Sequence, residues 1–463
     1  MKISGTVTKG GVAVQGAKVS LFRQGLRQTL FGGSHTQLNT GVDTFFSPWH
    51  QNTAQTTNGG TYKRSVSKQG VLTDLKITLD AQPGGGKSYT FVLYQNNNPT
   101  SMSVTISGTD TTGEDITHSV QVDNGDILQF VCTPSGTPAA ARVRNSIVFF
   151  STPDDEFSVS AGNGSISGTA TIYLSLDSSG TSSGLGSAIK CPLAGTLKNF
   201  YINLSVAPGT GLTRTFTVMY GTAGATASDL VITISDSSTS GSDTAHTLAV
   251  VPGDVLRIKS EVSGSLAASD VLTRLTFVSS VSGRYWIGGS TPSNLSTTDT
   301  EYFKPTAGST ATAQYLSEQR FTKDITIKNM YVEVSAAPGT GGSGKKRTFT
   351  LMQNGNPTAL TFDILETATT NNITTDVVCA EGDLFELQSV PTSSPAAATS
   401  RYGFMVSTSS TELIEAQLTD ASGDYSFTSL TDIEHGYHTT VEFGDGNGKY
   451  NAKSLPFLDP VAE

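Results

Sequence analysis

The sequence predicts an all-β protein in which three tandem jelly-roll-like sandwiches are inserted into a smaller β-sandwich formed by both chain ends. Three observations predict it. Charged residues make up only 15% of a chain that holds 48 glycines and many Ser and Thr, a composition suited to short strands and tight turns rather than amphipathic helices. Apolar and polar residues alternate at period two in segment after segment. A unit of domain size recurs three times, while each end of the chain carries only part of a further β unit.

Length and charge bound the rest. At 463 residues the chain exceeds the roughly 250–300 residues at which single cores stop growing, so several domains are expected. A formal net charge of -10 argues against the basic stripe or tail of a nucleic-acid binder. Lys345, Lys346 and Arg347 form the tight basic cluster of the sequence and read as a solvated hairpin turn. Cys132, Cys191 and Cys379 are odd in number and lack the short spacings of metal or redox motifs, so all three are expected to be reduced. MKISGTVTKGG at the start has no apolar h-region, and no apolar run of about eighteen residues occurs. A soluble chain made in a cytoplasm, with no signal peptide and no membrane insertion, is the expectation.

The repeat is the clearest internal signal. One copy begins LTDLKITLDAQPGGGKSYTFVLYQ at Leu72, the next GTLKNFYINLSVAPGTGLTRTFTVMY at Gly195, and the third KDITIKNMYVEVSAAPGTGGSGKKRTFTLMQ at Lys323. Pro83, Pro208 and Pro338 correspond, as do Gly125-Asp126, Gly253-Asp254 and Gly382-Asp383, giving a period of about 125 to 130 residues, a whole domain rather than a solenoid unit. Phe200, Ile202 and Leu204 share one strand face, and after the PGTG turn Thr215, Thr217 and Met219 oppose Phe216 and Val218. Pro-Gly-Thr-Gly supplies a fixed φ followed by residues tolerant of φ > 0, which suits a strand-to-strand reversal. Asn354 to Pro357 (NGNP) adds a hairpin turn, and Gly-Asp before an apolar strand is a further turn signal. Roughly eight strands per copy fit a two-sheet sandwich of jelly-roll type. Ser/Thr/Gly-rich lead-ins such as SISGTATIYLSLDSSG are expected to give the first strands of each. The copies are placed at 31–153, 154–281 and 282–410. Two arrangements are open: a pseudo-trimer about an approximate threefold axis, or beads on a string.

The ends complete one another. KISGTVTKGGVAVQGAKVSLFR reads as a hairpin, with Ile3, Thr6 and Val7 on one strand and Ala17, Val19 and Leu21 on the return. No matching strands follow it. TDASGDYSFTSL and HTTVEFGDGNGKYNAKSLPFL, near the C-terminus, would supply them, so 1–30 and 411–463 together form the smaller sandwich. Insertion at an exposed hairpin is tolerated where the ends of the insert lie close together.

These terminal residues carry a family resemblance. Ser4-Gly5-Thr6-Val7, Val14-Gln15-Gly16-Ala17-Lys18-Val19 and Thr419-Asp420-Ala421-Ser422-Gly423-Asp424-Tyr425-Ser426-Phe427 resemble consecutive pieces of the carboxypeptidase-regulatory-like, or transthyretin-like, β-sandwich, here separated by about 390 residues. The ending Val441-Glu442-Phe443-Gly444-Asp445 through Tyr450-Asn451-Ala452 is similar to the variant of that sandwich in tailed-bacteriophage virion proteins. The APGTG and GDxL elements of the repeats likewise resemble jelly-roll modules of phage structural proteins. The resemblance covers only about 75 residues at the ends and implies no peptidase.

Motifs for chemistry are sparse. His118 and His246 hold equivalent places eight residues before the Gly-Asp aspartate, where the third copy has Thr375, and they read as hydrogen-bonded strand histidines. His435 and His438 lack a third ligand nearby. Asp445 and Asn447 resemble the start of a calcium loop without its closing Glu, and read equally well as a hairpin turn. Asp154-Asp155-Glu156 reads as a charged, solvated linker. No nucleophile elbow, Walker loop or zinc-protease helix is present, so no enzyme and no cofactor is expected.

The resemblance therefore implies a phage virion protein, made in the host cytoplasm and incorporated in the particle, most simply a tail fibre, adaptor or receptor-binding component. Its terminal sandwich would dock on other virion proteins as an oligomer, and its jelly rolls would project toward a host surface glycan or protein. Binding is expected in loops at the sandwich ends, with Gly209, Thr210, Gly211 and the segment from Gly341 through Lys345, Lys346 and Arg347 as candidates. A capsid-decorating protein and a glycan-binding surface adhesin are the alternatives.

Overall fold

The computed structural model describes residues 27–407, apart from 35, 50–54, 59–61, 153–155, 177–180, 183–187, 282, 292, 313, 315–316, 322–323 and 341–343. Of the chain ends it describes 3–6, 8–9, 12–13, 18–24, 411–418, 421–422, 424–427, 437–444 and 450–454. Two compact units result: Met1–Arg27 with Ser151–Asp155 and Ser409–Glu463, and Gln28–Phe150 with Glu156–Thr408.

The N-terminal strands are β1 (Ile3–Thr6), β2 (Thr8–Lys9), β3 (Val12–Ala13) and β4 (Lys18–Gln24). Copy 1 of the repeat follows as β5 (Arg27–Gly32), β6 (Thr44–Phe46), β7 (Arg64–Ser65), β8 (Gly70–Leu79), β9 (Gly84–Gln95), β10 (Asn98–Gly108), β11 (Thr112–Asp115), β12 (Val120–Val122), β13 (Ile127–Ser135) and β14 (Val143–Ser151). Its two sheets run β11-β8-β14-β5, with β12 beside β8, and β10-β9-β13-β6, with β7 beside β13. Setting the short β7 and β12 aside and lettering the others B to I in chain order gives B-I-D-G and C-H-E-F, the order of a jelly roll. Period-two strands bury one face each, and Phe46, Phe91 and Phe130 pack between the sheets. β5 belongs to this sandwich, so copy 1 begins at Arg27, earlier than the sequence boundary at 31.

Copy 2 comprises β15 (Glu156–Ile166), β16 (Ile172–Leu174), β17 (Thr181–Ser182), β18 (Ile189–Lys190), β19 (Gly195–Leu204), β20 (Gly209–Tyr220), β21 (Thr226–Asp236), β22 (Ser240–Val250), β23 (Val255–Val262) and β24 (Ser269–Ser279). Copy 3 comprises β25 (Arg284–Ser290), β26 (Glu301–Lys304), β27 (Ala307–Ala311), β28 (Gln319–Arg320), β29 (Ile325–Val334), β30 (Lys346–Gln353), β31 (Asn356–Leu365), β32 (Thr370–Ile373), β33 (Val377–Cys379), β34 (Leu384–Thr392) and β35 (Ser400–Ser407). Both repeat the jelly-roll order, as β15-β24-β19-β22 against β16-β23-β20-β21 and as β25-β35-β29-β32 against β26-β34-β30-β31. Phe200, Ile202, Phe216 and Val218 are buried as their alternation predicts. NGNP closes the β30–β31 hairpin, with Asn354 and Gly355 both at positive φ. The PGTG element does something different from a hairpin reversal: β19 and β20 lie in different sheets, so it carries the chain across the sandwich.

The chain ends pair with each other. The C-terminal strands are β36 (Thr411–Leu418), β37 (Asp424–Phe427), β38 (Tyr437–Gly444) and β39 (Tyr450–Ser454). β1 pairs with β37, placing Gly5 opposite Tyr425, and β4 is a middle strand of β36-β4-β38-β39, with Val19 opposite both Gln417 and Val441. The N-terminal segment is therefore not one hairpin: β1 and β4 join different sheets, and the local hairpin is the small β2–β3 pair.

The three sandwiches close into a ring. In copy 1, β7 pairs with its own β13 while its other side meets copy 2, where Ser65 N–H donates to Ser160 Oγ at 3.2 Å and Ser67 N–H to Ser158 Oγ at 3.0 Å. In copy 2, β18 pairs with β23 and meets copy 3, where a Cβ on Gly403 would lie 1.9 Å from the Lys190 carbonyl oxygen. In copy 3, β28 pairs with β34, and the adjoining Phe321 packs edge-on against Phe31 of copy 1 with ring centroids 4.8 Å apart. Each copy offers the same short strand to the B-I-D-G sheet of the next, a head-to-tail contact that closes after three steps. The copies stand about a pseudo-threefold axis, not as beads on a string.

The repeated Gly-Asp pair builds that contact. Val66, Cys191 and Phe321, each directly after the short strand, donate N–H to the carbonyls of Asp126, Asp254 and Asp383. Their carbonyls accept from Gly125, Gly253 and Gly382, whose φ values of 101°, 95° and 96° favour glycine. Each aspartate closes its own turn by accepting the N–H three residues earlier, from Asp123, Val251 and Ala380.

Two expectations follow from these contacts. Gly403→Ala drives a methyl into the Lys190 backbone and should lower stability by the upper end of ~1–3 kcal/mol or more; an unchanged thermal midpoint would contradict the seam described. Deleting residues 1–24 removes the partners of β36, β37 and β38, and hydrogen exchange should then show loss of amide protection across 411–454, with protection in 156–279 retained.

Candidate functional site

The loop candidates of copies 2 and 3 occupy corresponding places. Gly209 and Gly339 stand at φ values of 100° and 103° directly after the proline of the D–E connection, as does Gly84 in copy 1 at 99°. This connection is tied to the H–I loop, through Ala139 N–H to Pro83 O at 2.8 Å in copy 1 and Ala396 N–H to Pro338 O at 2.9 Å in copy 3. Rotation about the pseudo-threefold axis places the three loop sets on one face of the ring. Thr210 and Gly211 are exposed there, with Gly211 N–H anchored on Asp236 Oδ1 at 2.8 Å.

The basic cluster divides. Lys345 and Lys346 are partly exposed, and Lys346 Nζ bonds Asp363 at 2.8 Å. Arg347 is not a surface residue: it is 1% exposed, and its guanidinium donates to the carbonyls of Ser296, Leu295 and Ala396 at 2.8, 3.2 and 3.0 Å. It struts the loop from inside, as Arg214 does by donating to Ser167 O in copy 2 and Tyr89 by donating to Ala139 O in copy 1. The cluster is also no hairpin turn, because Lys346 opens β30. Gly341, Asp445 and Asn447 lie outside the described residues, as does His435.

The remaining candidates are structural in their surroundings. Nδ1 of His118 lies 2.9 Å from Asp115, and that of His246 lies 3.0 Å from Asp243. Burial opposes the charge of both aspartates, but bonds from Ser103, His118 and Thr117 to one, and from His246 and Val231 to the other, hold the carboxyls below their ordinary range. Among the described residues no group of three His, Cys, Asp or Glu could hold a metal, no helix is long and apolar enough to cross a membrane, and the three cysteines are free and buried. Glu156 departs from its reading as a solvated linker. It is buried between copies 1 and 2, 2.6 Å from both Lys68 and Lys198, and those two partners outweigh burial to lower its carboxyl pKa.

The seams carry chemistry that the sequence did not disclose. Between copies 1 and 2 the contacts are mostly hydroxyls, with Arg274 donating to Ser65 Oγ and Asn124 Oδ1 at 3.3 Å while its guanidinium lies 4.2 Å from the centre of the Tyr201 ring. Between copies 2 and 3, Glu333 is held by Lys190 at 2.6 Å and Arg401 at 2.5 Å, all three nearly buried. Between copies 3 and 1, Arg144 pairs with Glu318, Lys76 with Glu381 at 2.9 Å, and Lys304 Nζ donates to Arg144 O at 2.8 Å. Burial, with Arg144 beside it, pushes Lys304 down to about 7, against the pull of Glu318. Glu386, 0% exposed, is pushed up to about 7 by burial, against a hydrogen bond from Gln314 and with Glu318 adding to the rise. Glu386 escaped notice because it sits between Phe385 and Leu387, where alternation places it outward; β34 is covered on both faces there.

These two groups give a pH signature. Between 4.5 and about 7 folded Glu386 keeps a proton that the unfolded chain releases, so stability falls as pH rises through that window. Between about 7 and 10.5 the unfolded chain keeps a proton that folded Lys304 has lost, so stability rises. Glu386→Gln should therefore raise stability at pH 7, by up to ~3 kcal/mol at ~1.4 kcal/mol per tenfold change, and change it little at pH 4.5. Equal gains at both pH values in thermal melts would contradict this assignment. No protein-family model matches this chain, and no curated protein matches it either.

Proposed function

We propose that this chain is a non-enzymatic structural and attachment component of a tailed-bacteriophage particle. The terminal sandwich docks on other virion proteins, and the ring of jelly rolls presents its loop face to a host surface glycan or protein. The observation that carries the reading is the closed ring, which sets three corresponding loop sets on one face. Contacts that are weak singly gain when linked, because each later one forms at the high effective concentration set by the first, and avidity can exceed single-site affinity by ~10²–10⁴. The resemblance of the terminal segments to a sandwich of phage virion proteins supplies the particle, and the absence of catalytic motifs from the sequence agrees with a binding role.

The test begins with purified virions, where mass spectrometry and imaging should find the protein at the tail. Its absence from virions would falsify the reading, and a location on the head would replace attachment with capsid decoration. Free protein should block adsorption of the phage, and the combined change of Thr210 and Lys345 to glutamate should weaken that block at least tenfold without altering the thermal midpoint.

A further inference from the structure

The first strands of the three copies meet at the axis, and they do so with different side chains. Gln28 clasps the backbone of Ser158, donating from Nε2 to its carbonyl at 3.0 Å and accepting its N–H on Oε1 at 3.2 Å. Phe157 packs edge-on against Trp286 at 4.8 Å, and Phe277 does so at 4.3 Å. Beside Trp286, between copies 3 and 1, lies a small cavity lined by Gln28, Thr29, Trp49 and Trp286, among others.

The chain has two tryptophans, and both line this cavity. Each is 2% exposed, and the indole Nε1 of each is buried without a hydrogen-bond partner among the described residues. A buried donor left unsatisfied costs ~1–3 kcal/mol, and two on one cavity, beside the likewise unpaired hydroxyl of Thr29, is a concentration of that cost. The space open to the centre of a water molecule is about 20 Å³, just above the ~10–15 Å³ one water needs. The walls also offer acceptors, in the amide oxygen of Gln28 and the hydroxyl of Thr29. Two donors and two acceptors match a water, which takes two hydrogen bonds and gives two; a halide would use only the donors and would bring an uncompensated charge into a buried site.

We propose that this cavity binds one long-lived water that accepts from the indole N–H of Trp49 in copy 1 and of Trp286 in copy 3. It thereby joins the seam that closes the ring, the seam between copies that are not consecutive in the chain.

With two tryptophans, a ¹⁵N-indole-labelled sample of the full chain gives two Nε1–H resonances. Both should show direct cross-relaxation with water of the sign expected for a bound molecule, and Trp286→Phe should abolish it at Trp49. Density from a high-resolution structure should place one water within hydrogen-bond distance of both nitrogens. Absence of cross-relaxation at either indole overturns the proposal. So does its persistence at Trp49 in Trp286→Phe, which means two separate waters. Replacing chloride by bromide should leave both resonances in place; a halide-dependent shift assigns the site to an anion and also overturns it. Should Trp286→Phe fail to fold, the wild-type spectra and density decide the matter.

Discussion

The constraint on which the ring depends is the clamp between a short strand and a Gly-Asp turn. A two-residue strand has too few ladder bonds to hold itself against a sheet, and here it is fixed by a reciprocal pair of backbone bonds to the turn, such as those joining Val66 with Gly125 and Asp126. The turn can face that strand because its glycine takes a φ near +100°, and its aspartate satisfies the backbone N–H three residues earlier. With the clamp closed, the strand becomes a rigid edge presented to the next copy. Three identical clamps produce three head-to-tail contacts, and geometry then requires either closure or an open filament.

Closure in the correct order is a matter of side chains. If all three seams were alike, any copy could seat its short strand on any other copy, in any order. The seams differ: serines and a stacked arginine in the first, a carboxylate shared by two cations in the second, and an aromatic contact with separate ion pairs in the third. A wrong pairing would leave Lys190 without Glu333, which would keep only Arg401, and an unpaired buried charge costs several kcal/mol. The axis makes the same point, since the first strands bring an amide, a phenyl ring and an indole together there, in Gln28, Phe157 and Trp286.

How much of this was legible in the sequence depended on whether a residue's partner was close along the chain. The sandwiches were readable because alternation along one strand predicts one buried face, and Phe200, Ile202, Phe216 and Val218 obey it. Arg347 was also within reach: it shares parity with the buried Phe349 and Leu351, so the pattern placed it inward, while its charge suggested otherwise. The N-terminal hairpin misled because β1 and β4 are joined by a short connection, as hairpin strands are, yet their partners lie more than 380 residues away, in β37, β36 and β38. Glu156, Glu333 and Glu386 were illegible for a further reason. Their burial is created by other copies or by loops, and nothing in one strand's pattern records what will cover its outer face.

Covalent linkage explains why such polar seams suffice. Separate subunits must overcome the loss of translational and rotational freedom at each association, commonly estimated at ~4–15 kcal/mol. Copies joined by connectors as short as those from Ser151 to Glu156 and from Ser279 to Arg284 meet at effective concentrations in the millimolar range. Much of that loss is thereby removed, and the contact needs less apolar area to persist. Serine hydroxyls and ion pairs, which add little net stability but reject wrong partners, become adequate seam materials. The seam between copies 3 and 1 has no such connector, and it is there that Phe31 meets Phe321 and both indoles line a common cavity. Apolar contact is thus present where the chain itself gives least help, as it also is between copies 2 and 3, where Phe157 and Phe277 pack on Trp286.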